Sequence, residues 1–169
     1  MKIETLRDLF QIELCYAYDC EQKLSKKGIP NMIESTTSTQ LRTALEQHLQ
    51  ETRNHVARLE RVFSILGIEA DTKDNDVLDE ITSAAKDSIS HIEASALRDA
   101  AIIMNGNFVE HYEMALYGTL VAYAQQLGFP EAVTLLQETL DEEKAADAKL
   151  TQLAETAINP TAIQQPRAA

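Results

Sequence analysis

The stretch VEHYEMALYGTLVAYAQQLGFPEAVTLLQETLDEE, residues 109–143, decides the fold. Two runs of helix-favouring residues flank Gly128-Phe129-Pro130. Glycine is the usual stop signal, and proline is suited to the first turn of a new helix. Before the break, Ile103, Gly106, Glu110, Glu113, Tyr117, Leu120, Ala124 and Leu127 recur three or four apart. After it, Val133, Leu136, Leu140, Glu143, Asp147, Leu150 and Ala154 do the same. This spacing predicts a helical hairpin whose first arm covers about residues 95–127. Glu113 and Glu143 are equidistant from Gly128, and because each residue rises about 1.5 Å along a helix, they meet at one height.

The N-terminal half has a matching register. Apolar Leu6, Phe10, Leu14, Ala17 and Leu24 define a helix from near Thr5, and Glu21 occupies the single gap in its stripe. Gly28-Ile29-Pro30 predicts a kink or interruption, with the helix resuming through Met32 and Ile33 until the Ser/Thr run at 35–39. Thr37 and Gln40 read as a capping box opening a second long helix. Its stripe is Leu41, Ala44/Leu45, His48, Glu51/Thr52, His55, Leu59, Val62 and Leu66, ended by Gly67. Glu21 and Glu51 are separated by the same interval as Glu113 and Glu143, with their midpoint in the Ser/Thr run. Beyond an acidic stretch at 69–76, Val77, Ile81, Ala84/Ala85 and Ile89 predict a short crossover helix. The resulting expectation is an all-α, ferritin-like four-helix bundle with a short extra crossover helix. It forms one domain over residues 1–158, followed by a flexible tail at 159–169 containing Pro160 and Pro166.

Composition narrows the function. The 169 residues carry 27 acids against 15 bases, a formal charge of −12, with the bases scattered. This excludes an electrostatic hold on nucleic acid or on an anionic membrane and favours cations as ligands. No apolar run approaches the roughly 20 residues of a membrane helix, and the first residues do not read as a secretory signal, so a cytoplasmic location is expected. Cys15 and Cys20 lie about 140° apart around one helix, too divergent for a disulfide, and read as reduced packing residues.

Each long helix therefore places a carboxylate where its apolar stripe should continue. A carboxylate isolated in a core costs several kcal/mol or takes up a proton, whereas a shared divalent cation satisfies several at once. Glu21, Glu51, Glu113 and Glu143 form the quartet expected at one level, and His48, His55, Glu110 and Asp147 lie three or four residues from its members. Oxygen with imidazole nitrogen is a donor set for iron or manganese. Glu142 reads as a boundary residue, and the spacing alone leaves the roles of His55, Glu142 and Asp147 open. Tyr16, Tyr18, Tyr112, Tyr117 and Tyr123 fall near the same levels and read chiefly as amphipathic packing.

At Ala17-Tyr18-Asp19-Cys20-Glu21-Gln22-Lys23-Leu24, Gln47-His48-Leu49-Gln50-Glu51-Thr52, residues 109–120 and Glu138-Thr139-Leu140-Asp141-Glu142-Glu143-Lys144, the chain resembles the YciF/YciE-type ferritin-like proteins, a bacterial stress-associated group. The resemblance runs from about Thr5 to Leu153. It implies a homodimeric bundle with a di-iron or di-manganese centre held by Glu21, His48, Glu51, Glu110, Glu113 and Glu143. The leading expectation from the donor set is ferroxidase-like or peroxide-reactive chemistry on dioxygen or hydrogen peroxide in stress protection. The second helix reads His48-x-x-Glu51, the reverse of the Glu-x-x-His usual in ferritin-fold di-iron proteins, and the fourth has no histidine. The alternative expectation is a non-catalytic helical scaffold that binds partners in the stress response.

Overall fold

Helix α1 (Leu6–Lys23) opens on a capping box in which the Thr5 side chain accepts from the Asp8 amide and the Asp8 carboxylate accepts from Thr5. In the computed structural model, which describes residues 2–164, α1 passes into one π turn, Leu24–Gly28, before α2 (Ile29–Ser35). The turn is the form taken by the expected interruption. Pro30 has no amide hydrogen and its ring collides with the carbonyl four residues back, so the preceding turn widens. The same thing happens before Pro160, where a π turn at Ala154–Ile158 separates α6 from α7.

Helix α3 (Thr39–Leu66) buries Leu41, Leu45, His48, Thr52, His55, Leu59, Val62 and Leu66, the stripe read from the sequence, and stops at Gly67 in the left-handed conformation, φ 74°. Its N-cap is Ser38, whose hydroxyl accepts from the Leu41 amide, rather than Thr37 as the capping-box reading had it. Thr37 is occupied elsewhere, since its amide and hydroxyl both donate to Asp99. Helix α4 (Asp76–Ser90) is the crossover. Leu78 is fully buried, and Ile81 and Ile89 of the expected stripe pack on the core beside it, while Val77 falls outside that face and is 56% exposed. Helices α5 (Ala96–Gln126) and α6 (Pro130–Leu153) form the second hairpin around Gly128, φ 77°. Of the tail expected from residue 159, Asn159–Ala162 forms the short helix α7, and residues 165–169 lie outside those described.

Packing runs α1 on α3, α3 on α6, α6 on α5 and α5 on α1, with α4 laid on the outside of α5. The four long helices thus close a ring in which α3 and α5 are diagonal. The start of α3 is tied to the first turn of α5, because Thr36, Thr37 and Ser38 all donate to Asp99. Both helices therefore begin at the same end and run parallel, the arrangement that the crossover makes possible.

The core is divided. One apolar cluster packs Phe10, Leu14, Leu59, Phe63, Leu120 and Leu136 near the Gly67 and Gly128 turns. The other packs Leu24, Leu41, Leu45, Ile102, Leu150 and Leu153 toward the opposite end. Between them the inward positions are taken by polar residues: Glu21, His48, Thr52, His55, Glu110, Glu113, Thr139 and Glu143 are all buried. This layer is shut off from water at both ends by hydrocarbon.

Candidate metal centre

Helix geometry delivers the layer. On α3, His48, Thr52 and His55 are four and then three residues apart and share the inward face. Glu110 and Glu113 project from adjacent turns of α5, Glu21 from α1 and Glu143 from α6. The Ser25 hydroxyl donates to the Glu21 backbone carbonyl at 2.7 Å, where the helix passes into its π turn.

Two triplets of donor atoms result. Glu21, His55 and Glu143 bring one ligand atom each within 4.8 Å of one another, and His48, Glu110 and Glu143 do likewise. In the first, His55 Nδ1 lies 3.4 Å from Glu21 Oε1 and 3.0 Å from Glu143 Oε1. In the second, His48 Nε2 lies 3.2 Å from Glu110 Oε1 and 3.8 Å from Glu143 Oε2. Glu143 belongs to both and offers a different oxygen to each.

Behind each histidine stands a second carboxylate. The far nitrogen of His55, Nε2, is 2.8 Å from Glu142 Oε2, and Glu142 is in turn gripped by the Arg58 guanidinium. His48 Nδ1 faces Glu51 Oε2 at 3.5 Å, and Gln47 donates to the other Glu51 oxygen. In its neutral form, with Nε2–H given to Glu142, His55 would present Nδ1 as a lone pair to the Glu21/Glu143 side, the arrangement that orients imidazole ligands in metalloproteins.

The electrostatics of so many acids in one dry layer are severe. Burial pushes the Glu113 carboxyl well above its ordinary value, and the charges of Glu143, Glu21 and Glu110 push it further. Glu21 and Glu143 are raised by burial, with His55 pulling each back. Burial would lower the histidines, but the acids prevail. Glu110 holds His48 well above its usual value, and Glu21 with Glu143 holds His55 up at about 10. Glu142 is lowered despite burial, because Arg58 and His55 stabilise its charge. Burial and mutual repulsion thus favour proton uptake by the layer's acids, and the acids favour it on the histidines.

The sequence-expected residues can now be placed. Glu21, His48, Glu110, Glu113 and Glu143 converge in the layer. Glu51 sits at its rim with 27% of its side chain exposed, because Thr52 takes the inward position of that turn. Glu113 is buried but outside both triplets, accepting from the Cys20 thiol at 3.4 Å. The position between the two triplets is occupied by Glu143. Asp147 points away and faces His111 at 3.2 Å. Tyr117 is more than packing, since its hydroxyl donates to Glu21 Oε1 at 2.5 Å. His55, left open by the sequence, is at the centre with no exposure. Its place on the Leu45, His48, Thr52, His55, Leu59 stripe was the signal that could have found it.

Fold and layer together define a ferritin-type helical bundle with an internal carboxylate–histidine cluster. The chain belongs to the DUF892 family, a domain of unknown function, which matches residues 5–163. It is 36% identical over 163 residues to protein YciF of Escherichia coli K12, covering 96% of this chain and 98% of that one. The crystal structure of that E. coli stress protein aligns with a TM-score of 0.88 at 35% identity, over 93% of this chain and 99% of the other. YcfI from Rhodopseudomonas palustris aligns with a TM-score of 0.86 at 39% identity, over 89% and 95%.

Proposed function

We propose that the protein binds a pair of iron or manganese ions within its helical layer and reacts with dioxygen or hydrogen peroxide in stress protection. One observation carries the reading: two donor triplets share Glu143, and several donor atoms of their residues are buried without hydrogen-bond partners. Glu21 Oε2, Glu110 Oε2, both Glu143 oxygens and His55 Nδ1 are buried with no hydrogen-bond partner among the described residues. Each such orphan costs about 1–3 kcal/mol or more when charged, a penalty that coordination removes. Carboxylate oxygen with imidazole nitrogen suits iron and manganese, whereas structural zinc draws on thiolates.

Glu21 and His55 would hold one ion, His48 and Glu110 the other, with Glu143 common to both. A reduced pair held there would supply two electrons, one from each ion, to a small oxidant. Arg58 and Glu142 hold the His55 ring in the tautomer that leaves Nδ1 free, and Glu51 does the corresponding work on His48. Burial and the neighbouring acids favour the protonated Glu113 carboxyl, and positive charge entering the layer would favour its ionisation. Tyr117 holds Glu21 Oε1 and leaves Oε2 open. The two hydrocarbon clusters exclude bulk water from both ends, which keeps the layer's electrostatics strong.

A cytoplasmic setting and a homodimeric assembly are part of the same proposal, supported by the likeness to the YciF-type proteins; the E. coli relative is described as a stress protein. Metal analysis of protein purified without chelator, followed by anaerobic Fe(II) titration, tests the reading. One ion per triplet is expected. Substoichiometric iron and manganese with no gain on Fe(II) addition would leave a metal-free helical scaffold instead.

A further inference from the structure

The two triplets differ in their access to water. Glu21, His55 and Glu143 have no exposed surface, and Tyr117, Thr52 and Thr139, each 1% exposed, occupy the same layer. The Arg58–Glu142 pair closes over the outer edge of His55. On the other side a cleft of about 320 Å³ opens between α3 and α6. His48 and Glu110 line its floor, Ala145 and Ala146 one wall, and Glu51 and Lys149 are also among its lining residues. At roughly 30 Å³ per water, it admits a hydrated cation or a small ligand without movement of the backbone.

On this geometry, and resting on the di-metal reading above, we infer that the centre is served from one side only. The His48/Glu110 position exchanges with solvent through the α3/α6 cleft, and the Glu21/His55 position can fill or empty only by way of it. The physical ground is burial: Glu21, His55 and Glu143 have no exposed surface, whereas the cleft reaches His48 and Glu110 of the neighbouring triplet directly. The shallow groove lined by Ser25, Lys26, Pro30, Arg53 and Val56 touches no member of the inner triplet. An ion arriving through the cleft meets Glu51 and Glu110 first and passes inward across Glu143, whose two oxygens face the two positions. The first ion therefore settles in the closed triplet and the second in the open one. Departure is ordered in reverse, and an exogenous ligand of the loaded centre binds at the His48 side. Ala145 and Ala146 are small where a larger side chain would occlude the path, which makes them the access-determining residues.

Cobalt(II) is the probe, read by its visible absorption. Protein loaded with cobalt and mixed with excess chelator should release it in two phases of equal amplitude, the slower one reporting the closed triplet. Ala145→Leu and Ala146→Leu, each on the cleft wall, should slow both phases by roughly tenfold, the effect of about 1.4 kcal/mol added to a barrier. Ala122→Leu, at an exposed position of α5 away from the cleft, should release cobalt as the unmodified protein does. Circular dichroism confirms that each variant is folded, and two independent wall positions guard against failure of one. Release of both ions in a single phase, or wild-type rates in folded cleft variants, would overturn the inference while leaving metal binding intact. Failure to take up cobalt at all would overturn the di-metal reading and this one with it.

Discussion

His55 and Glu142 face each other across α3 and α6, with Nε2 and Oε2 2.8 Å apart, and the contact fixes which ring nitrogen looks into the bundle. Glu142 does this while itself held by Arg58, so the pair is a rigid support rather than a surface ion pair. Removing the carboxylate by Glu142→Ala frees the ring to rotate or to take the other tautomer. Loss of such an orienting partner costs roughly 10- to 100-fold in metal affinity. Competition against a chromophoric chelator measures this, and an affinity equal to that of the parent protein would mean that Glu142 has no orienting role.

The metal-free layer also predicts an unusual pH profile. Glu113, buried among other acids, and His55, held up at about 10 by Glu21 and Glu143, both bind protons more tightly in the folded chain than in the unfolded one. A group whose folded pKa is raised stabilises the fold at low pH and loses that contribution as pH rises, because the native state carries the extra proton. For Glu113 the loss begins near its ordinary value of 4.5, and for His55 it runs from 6.5 to about 10. The lowered carboxyls of Glu51 and Glu142 are ionised in both states above about pH 5.5 and do not oppose the trend there. Chelator-treated protein should therefore melt at progressively lower temperature from pH 5.5 to 8.5. Metal binding displaces these protons, so loaded protein should show the reverse slope. A flat profile without metal would contradict the protonation described.

Much of this was legible in the chain itself, for identifiable reasons. The Gly67 and Gly128 stops, the α3 stripe and the equidistance of Glu113 and Glu143 from their turn follow from helical periodicity, which survives folding unchanged. The Glu51/Thr52 choice did not. Neighbouring residues differ by about 100° around a helix, and only packing against α6 decides that Thr52 turns inward and Glu51 stays at the rim. The role of Glu142 depends on Arg58 reaching across from another helix, a contact with no trace in local spacing. Asp99 escaped for a different reason: an acid in the first turn of a helix reads as a partner of the helix dipole, and its bonds to α3 are long-range.

Gly118 lies within α5 with nothing within 4 Å of where a Cβ would be. Its flexibility serves no close approach there, and glycine in a helix interior costs about 0.5–1 kcal/mol relative to alanine. Gly118→Ala should raise the unfolding free energy by about that amount without altering metal uptake. Urea denaturation with an unchanged m-value checks it, and a loss of stability would show that the position is constrained in a way its open surroundings do not suggest.

The strongest purely structural contact is the one between Asp99 and the Ser/Thr run. Asp99 is 1% exposed, and its two oxygens accept from the Thr36 hydroxyl at 2.6 Å, the Thr37 amide at 2.8 Å, the Thr37 hydroxyl at 2.6 Å and the Ser38 amide at 2.9 Å. Those four bonds pin the α2–α3 turn to the base of α5, and the amides have no helical partner of their own at this junction. Asp99→Ala strands the buried Thr36 hydroxyl and leaves the part-buried Thr37 and Ser38 donors to find water instead, at about 1–3 kcal/mol for each donor that water cannot reach. Partial hydration should bring the total to about 3–5 kcal/mol, among the larger single-residue losses. Asp99→Asn keeps one acceptor oxygen and should lose less. The order alanine worse than asparagine worse than parent, measured by chemical denaturation in the presence of chelator, separates this contact from any effect on the metal layer. Equal stability of all three would show that the turn is held by the surrounding apolar packing instead.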